Sequence, residues 1–300
     1  MLTGLLPSSL IGYNAPRKGA VMARLENQEA DKLLDREFPV LDKGFVRLVD
    51  YLGDDRRIVE AARVSYAGGT TSYRRDRGLI RYLMRNQHTS PFEQVVFTFH
   101  VKMPIFVARQ WVRHRTGRLN EISGRYSIMK EEFYLPQDED IAYQSSDNKQ
   151  GRQNEAVEAN VAKKVRGVLE NGRAAVWDGY NRMLDMGIAR EIARIDLPLS
   201  LYTEWYWQMD LHNLFHFLKL RLDAHAQKEI RAYAAVILEI VEGVCPLASE
   251  AFRDFVLNAE NFSAPELDAL RSLIAGNSVG LEGSERKEFF AKLGMDDPAL

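Results

Sequence analysis

An arginine-rich stretch between residues 109 and 125 is the part of this sequence best suited to chemistry. It reads RQWVRHRTGRLNEISGR and holds five arginines against one acid, Glu121, in a chain whose net charge is only −2. Guanidinium groups match phosphate oxygens and planar carbonyl edges, and the backbone N–H groups of a glycine-containing loop can cradle an anion. Composition leaves two interpretations equally open: an anion-binding site, or a basic strip that is either a solvated face or a contact for RNA.

Two histidine-containing segments are further candidates. His88-Thr89-Ser90-Pro91 precedes an alternating segment and is typical of an ordinary turn between a helix and a strand. His212 and His216 have the i, i+4 spacing that can bind a metal on a helix. The zincin pattern needs Glu directly after the first histidine, and Asn213 stands there, so hydrogen bonding is favoured and we expect no metal site.

Arg221 follows the two histidines in the same apolar-rich segment. If one helix continues through it, Arg221 lies roughly opposite His212 and His216, because successive residues turn by about 100°. An intervening apolar stripe is formed by Leu211, Leu214, Leu218 and Leu222. A helix with two separate polar faces suggests burial between subunits.

The elements that must position these residues indicate an α+β fold. Residues 95–103 alternate with period two, and Pro104 should end that strand and begin a helix. The predicted strands span 45–52, 95–103 and 199–209, and the predicted helices span 56–64, 75–86, 105–112, 154–186 and 210–242, the last capped by Asp210. Residues 67–70 and 116–127 are predicted loops, and 136–151 a flexible polar excursion. The pattern predicts one catalytic domain with terminal extensions, in which long helices pack on a mixed or antiparallel sheet.

Composition narrows the class of protein. The 300 residues are 46% hydrophobic and 27% charged, which is ordinary for a globular protein and gives no global basicity for nucleic acid. Cys245 is the only cysteine, which excludes a disulfide or a thiolate metal cluster within the chain. No run approaches the roughly 20 apolar residues of a membrane span, and the N-terminus lacks the features of a signal peptide. We therefore expect a cytoplasmic protein.

Three blocks of the sequence resemble one enzyme family. Arg113-His114-Arg115, followed after seven residues by Ser123, is similar to the RHR-x7-S signature of flavin-dependent thymidylate synthases. HTSPFEQVVFTFHVKMPIFVARQW before it and ARIDLPLSLYTEWYWQMDLHNLFHFLKLRLDAHAQKEIRAYA after it also resemble that family, in order and spacing. The resemblance covers about residues 41–255, so residues 1–40 are predicted to be an N-terminal extension and 256–300 a C-terminal one.

The resemblance implies an activity and an assembly. The protein would methylate dUMP to dTMP, with methylenetetrahydrofolate as one-carbon donor, FAD as hydride carrier and NADPH as reductant, in dTMP biosynthesis. It would be a homotetramer whose sites are shared between subunits. The implied FAD contacts are Ser90, Arg113, His114, Arg115, Glu121, Asp210, Leu211, His212 and His216. The implied dUMP contacts are Gln110, Trp111, Val112, Arg113, Glu121, Ile122, Ser123, Gly124, Arg125, Arg194 and Arg221.

Arg221 carries the implied catalytic role. It resembles the residue proposed to hold the uracil ring and favour its N3-deprotonated form, and a guanidinium can stabilise an anion without donating a proton. Folate-only thymidylate synthases use a cysteine nucleophile, but Cys245 lies outside every matched binding block. Ser123 has no evident histidine-and-acid relay, so a binding role is favoured for it.

Three alternatives stay open on the sequence alone. The first is an RNA-binding protein built on the basic loop, although no RNP-like motif supports it. The second is a metal hydrolase built on His212, His216 and His225. The third is a family member that retains flavin but has lost synthase activity.

Overall fold

A computed structural model describes residues 27–64, 72–146 and 151–297. The first 26 residues of the predicted N-terminal extension and the predicted loop at 67–70 lie outside the described residues.

A five-stranded antiparallel sheet forms the centre of the molecule. Its strands are β1 (Glu37–Val40), β2 (Gly44–Leu52), β3 (Val96–Pro104), β4 (Arg118–Glu121) and β7 (Tyr202–Asp210), in the order β1-β2-β3-β7-β4. Two short strands, β5 (Ala142–Gln144) and β6 (Arg152–Ala156), pair in a separate hairpin. The α+β prediction is confirmed, and every pairing between these strands is antiparallel.

Eleven helices accompany the strands in the described ranges. They are α1 (Gln28–Asp31), α2 (Asp55–Arg63), α3 (Tyr73–Arg85), α4 (Ile105–Trp111), α5 (Ala159–Asp185), α6 (Arg190–Ala193), α7 (Leu211–Leu222), α8 (Lys228–Val244), α9 (Pro246–Phe252), α10 (Ala264–Ile274) and α11 (Gly283–Lys292). Short 3-10 turns lie at Phe92–Gln94 and Asp138–Asp140, and a π-helical turn spans Arg253–Leu257.

The pairing of β3 with β7 is the longest in the sheet. It runs without interruption from Val96 opposite Asp210 to Pro104 opposite Tyr202. The alternate residues Phe97, Phe99 and Val101 are fully buried, as the period-two pattern predicts. The predicted strand at 199–209 begins later, at Tyr202, because Leu201 N donates to the Pro198 carbonyl and closes a turn there.

An aromatic cluster fixes α4 against the sheet. The ring of Trp111 lies 5.6 Å from Trp205, 5.2 Å from Trp207, 4.8 Å from Phe217 and 6.0 Å from Tyr233, measured between centroids. These residues come from α4, β7, α7 and α8, so the C-terminal end of α4 is held by three other elements.

Three sequence predictions are wrong in detail. The predicted loop at 116–127 contains β4, which pairs with the edge of β7. The predicted helix at 154–186 starts at Ala159, because residues 152–156 form β6. The predicted helix at 210–242 is two helices, since Asp223 leaves the helical conformation (ψ 139°) and its carboxylate accepts a hydrogen bond from His225 N.

The two ends of the chain differ in how they join the main core. Ala30, Phe38 and Val40 belong to the main hydrophobic core, so the sheet begins before residue 41. At the other end, a second cluster has its own buried residues, Ala269, Leu281, Phe289 and Phe290. In the described ranges, no helix has the length and apolar character needed to cross a membrane.

Candidate functional site

The C-terminal end of α4 presents the first group of predicted site residues. Pro104 closes β3 and precedes α4, as the sequence predicts, and the fully buried Trp111 anchors the last turn. His114 N donates to the Trp111 carbonyl at 3.0 Å, so the chain turns immediately after the helix. Gln110, Arg113 and His114 are therefore attached to a rigid helix end.

Arg221 joins this helix end from α7. Its Nε donates to His114 Nε2 at 3.0 Å, and its Nη2 donates to the Gln110 carbonyl at 3.1 Å. The Gln110 side chain donates in turn to Gln227, in the connection between α7 and α8. Gln110, His114 and Arg221, which the resemblance assigns to binding and catalysis, are thus in direct contact within one chain.

The protonation of His114 follows from this geometry. Burial, Arg221 and His216 together lower the pKa of His114 to about 4, so the imidazole is neutral at pH 7. A guanidinium has donors and no acceptor. Nε2 must therefore carry the lone pair, and Nδ1 carries the hydrogen.

Arg221 keeps an uncompensated charge. Its hydrogen-bond partners in the described part of the chain are an imidazole and a carbonyl, and neither is anionic. Burial, followed by repulsion from Arg113, lowers the pKa of Arg221. Two neighbouring guanidiniums without a carboxylate partner for Arg221 favour an anionic ligand beside them.

The start of α7 provides the second group. Asp210 caps the helix as predicted, and its two carboxylate oxygens accept from Asn213 N at 3.0 Å and Asn213 Nδ2 at 2.8 Å. Leu211 is fully buried, so its side chain packs in the core and only its backbone is left for a ligand. The same holds for Trp111, which the resemblance assigns to dUMP.

His212 and His216 line a cleft of about 330 Å³, which we call the histidine cleft. His88 and Thr89, from the turn before β3, line it as well, and the exposed Ser90 follows them in the chain. Arg85 and Lys219 add positive charge, and among the described residues no Asp or Glu lines the cleft. The apolar wall is formed by Leu83, Met84, Phe92, Phe215, Phe252, Phe255 and Val256.

The composition of the histidine cleft fits one moiety of a dinucleotide. Cationic side chains suit phosphate oxygens, and the phenylalanine wall suits a planar ring. Its volume is at the low end for ligand pockets, so a dinucleotide would place only one of its moieties in the cleft. The phenylalanines after residue 250 carried no sequence signal, since only the fold brings them to this cleft.

The third group lies beyond β4. Ile122 N donates to the Glu204 carbonyl at 2.9 Å, which continues the pairing with β7, and Glu121 Oε1 accepts from Thr203 Oγ1 at 2.6 Å. The chain then turns through Ser123, Gly124 and Arg125, where Arg125 N donates to Ser123 Oγ at 3.3 Å.

Two arginines lie at this turn. Gly124 is buried against Arg194, which follows α6, and Arg125 pairs with Glu191 at 3.1 Å. We call Ser123, Gly124, Arg125 and Arg194 the arginine turn. Sequence-distant residues that the resemblance assigns to dUMP are therefore neighbours here.

Within one chain, the arginine turn and the histidine cleft lie at opposite ends of β7. The turn leaves the sheet beside Glu204, whereas α7 begins after Asp210, six residues later. At about 3.3 Å per residue, these points are roughly 20 Å apart.

The other predicted contacts lie near the surface. Arg113 and Arg115 are exposed after α4, Val112 caps the C-terminus of α4, and Ile122 is partly exposed.

The histidines do not form a metal centre in the described ranges. No group of three His, Cys, Asp or Glu side chains is placed there to hold a metal. His225 instead pairs with Asp223 at 2.9 Å on an exposed turn, away from the cleft that His212 and His216 line.

Two family descriptions and several known proteins match this sequence. The family described as thymidylate synthase complementing protein matches residues 47–247, and the family described as thymidylate synthase ThyX C-terminal domain matches residues 260–299. A flavin-dependent thymidylate synthase from Treponema denticola is 64% identical over 260 residues, covering 87% of this chain and 98% of the relative. One from Thermus thermophilus is 55% identical over 262 residues, covering 85% and 95% of the two chains.

A solved structure is similar in fold. The UMP/dUMP methylase PolB from Streptomyces cacaoi, bound with 5-Br dUMP, superposes with a TM-score of 0.67 at 36% identity. The match covers 73% of this chain and 99% of that one. A second structure of the same enzyme, bound with 5-Br UMP, gives a TM-score of 0.64 at 37% identity, covering 73% and 97%.

Proposed function

Because this chain belongs to the flavin-dependent thymidylate synthase family, and is therefore a methyltransferase, we propose that it converts dUMP to dTMP in dTMP biosynthesis. We propose FAD as its cofactor, with methylenetetrahydrofolate and NADPH as co-substrates. The observation that carries the proposal is Arg221, a half-buried guanidinium beside Arg113 whose partners leave its charge uncompensated.

The arginines of this chain suit the nucleotide. In the proposed complex, Arg221 binds the uracil edge and stabilises the anion that forms when N3 loses its proton. Gln110 and Arg113 contact the same nucleotide, whereas the arginine turn suits the phosphate because the side chain of Arg194 lies against Gly124, next to Arg125 in the chain. Neither Ser123 nor Cys245 is needed as a nucleophile, and Cys245 is fully buried.

The histidine cleft suits part of the flavin dinucleotide. His212 and His216 from α7, with His114 and Arg115 after α4 and Ser90 before β3, are the proposed contacts, and Asp210 and Leu211 would contribute backbone groups. FAD, when bound, supplies the hydride that completes the methyl group. The chain orients the rings, excludes water and stabilises charge.

We propose that the assembly is a homotetramer in which different copies complete each site. Two observations support sharing between subunits. The point where the chain leaves the sheet for the arginine turn is roughly 20 Å along β7 from the start of α7, whose histidines line the histidine cleft. The 27-residue helix α5 buries only Ala162 and Tyr180 in the described chain, while Val168 is 73% exposed with Val165 and Leu169 beside it. A monomer with full activity in size-exclusion chromatography with light scattering would contradict the tetramer.

The first test is the visible absorption spectrum of the purified protein before and after dUMP is added. We expect flavin bands that shift with dUMP, because flavin and nucleotide would share a site. UMP is the matched comparison, since the solved relative is named a UMP/dUMP methylase. A colourless protein that takes up no added FAD would refute the proposal, and salt-dependent RNA binding by that protein would favour the basic-loop alternative.

The second test is turnover with each component omitted in turn. Formation of dTMP should require methylenetetrahydrofolate and a reduced nicotinamide. Comparing the turnover rates with NADPH and with NADH shows which reductant the enzyme prefers. Protein that binds FAD and dUMP but forms no dTMP would instead be a member that has lost synthase activity.

A further inference from the structure

His114 holds Arg221 without neutralising it. The usual partner that orients a guanidinium is a carboxylate, which also cancels most of its charge. Here the partners are the imidazole Nε2 of His114 at 3.0 Å and the backbone carbonyl of Gln110 at 3.1 Å. Both accept a hydrogen bond, and neither is anionic.

This anchoring leaves a defined set of donors. A guanidinium has five N–H donors in a planar fork, and His114 and Gln110 use two of them, so three have no partner among the described residues and suit a ligand. These two hydrogen bonds, together with the covalent bond from Cδ to Nε, hold the plane of the fork. Arg221 is thereby presented as an oriented cation.

We propose that His114 is a positioning residue for Arg221, and that its Nε2 lone pair orients the guanidinium toward the anionic pyrimidine of the nucleotide while leaving the charge intact. The identity of the ligand rests on the proposed function. The contact between His114 and Arg221 does not, because it is a hydrogen bond between two side chains of this chain and involves no ligand atom.

The surroundings of His114 support a neutral imidazole. Arg221 and His216, both from α7, are the charged or titratable groups that lower its pKa, and the ring of Phe217 packs edge-on at 4.9 Å. Protonation of Nε2 would remove the acceptor and place two cations in contact. The same arrangement that uses His114 as an acceptor therefore keeps it unprotonated.

Two substitutions separate this role from direct flavin binding. Glutamine places its amide near the position of the imidazole Nε2, whereas asparagine places its amide near the position of Nδ1. His114→Gln can therefore still accept from Arg221, and His114→Asn can replace only a contact made through Nδ1. The readouts are bound FAD, from the visible spectrum of purified protein, and the dUMP dissociation constant, from the flavin band shift.

We expect His114→Gln to keep the dUMP dissociation constant within about threefold of wild type and His114→Asn to raise it about tenfold or more, the size of one charge-assisted hydrogen bond. FAD is added to saturation in both measurements, because His114 is itself a proposed flavin contact and either variant can bind FAD more weakly. Asparagine that preserves dUMP affinity while glutamine loses it would overturn the proposal. So would equal losses in the two variants, because the Nε2 acceptor would then not be what matters.

A measurement on wild-type protein covers the case in which a variant does not fold. The ¹⁵N spectrum of histidine-labelled protein, with His114 assigned by comparison with His114→Gln or His114→Asn, whichever folds, should show a neutral ring protonated on Nδ1 at pH 7. A ring protonated on Nε2, or on both nitrogens, would overturn the proposal whatever the activity. Wild-type protein that binds neither FAD nor dUMP would refute the proposed function and leave this spectrum to judge the contact.

Discussion

Gly124 lies directly against the side chain of Arg194. A methyl group on Gly124 would come within 3.1 Å of Arg194 Cδ and 3.1 Å of Met129 Sδ. Both contacts are with flexible side chains and not with backbone. The Arg194 side chain can therefore occupy its observed position because Gly124 has no side chain.

Gly124→Ala should weaken nucleotide binding without unfolding the protein. The added methyl group displaces Arg194, so we expect the dUMP dissociation constant to rise several-fold while the melting temperature stays within about 2 °C. Arg194→Ala is the matched comparison, and the double variant should be no weaker than Arg194→Ala alone, because the glycine acts through the arginine. Additive losses would contradict this explanation.

Gly117→Ala should instead destabilise the fold, which urea unfolding measures. A Cβ there would lie 2.5 Å from Trp207 Nε1 and 2.9 Å from Met209 Cε, both in fully buried side chains of β7. Overpacking of this kind costs about 1–3 kcal/mol of unfolding free energy. Gly78→Ala is the control, since nothing lies within 4 Å of its added methyl group and alanine stabilises an exposed helix position by roughly 0.5–1 kcal/mol relative to glycine.

Asp55 joins the start of α2 to the start of α9, and its removal should destabilise the core. Its carboxylate accepts from Leu247 N at 2.8 Å and Ala248 N at 2.9 Å. Asp55→Ala should lower the free energy of unfolding by about 1–2 kcal/mol, the usual cost of a lost N-terminal cap. Asp55→Asn keeps one acceptor oxygen. Its free energy of unfolding, measured with urea at pH 7, should therefore lie between those of wild type and Asp55→Ala.

The pH dependence of stability should carry a signature of His114. Its pKa is about 4 in the folded chain against an ordinary 6.5, so the unfolded state binds the proton first. Its contribution to stability is therefore complete above pH 6.5 and is lost as the pH falls toward 4. Urea unfolding at pH 7 and pH 5 should show a larger loss for wild type than for His114→Gln.

Comparing wild type with His114→Gln also removes the effect of Asp55, whose titration changes the stability in the opposite direction. Burial raises the pKa of Asp55 to about 6, so the folded state binds that proton first and Asp55 favours folding as the pH falls below 6. Asp55 is present in both proteins and cancels in the difference. Identical pH responses of wild type and His114→Gln would contradict a lowered pKa at His114.

Local pattern explains which parts of the fold were predictable. β3 could be located because Phe97, Phe99 and Val101 alternate with polar residues, and α7 because Asp210 is a helix cap. β4 could not, since all four of its residues are exposed and only its pairing with β7 makes it a strand. The break after α7 was hidden because apolar periodicity continues across it.

The candidate site also has a part that the sequence predicts and a part that only the fold reveals. The signature around Arg113 to Ser123 is local, and the family resemblance predicts binding roles for it and for Arg194 and Arg221. The hydrogen bond from Arg221 to His114 joins α7 to the turn after α4, and no spacing in the sequence implies it. Gln227 and the phenylalanine wall of the histidine cleft were missed for the same reason.

The separate cluster of buried residues near the C-terminus has a thermodynamic consequence. Ala269, Leu281, Phe289 and Phe290 form a core of their own, apart from the one that includes the sheet. Two cores need not melt as one cooperative unit. Calorimetry of the whole chain would then give two heat-absorption peaks. The smaller peak would report unfolding of the C-terminal cluster while the sheet stays folded. The last 40 or so residues could accordingly be gained or lost in evolution as a unit, with little effect on the core that carries the chemistry.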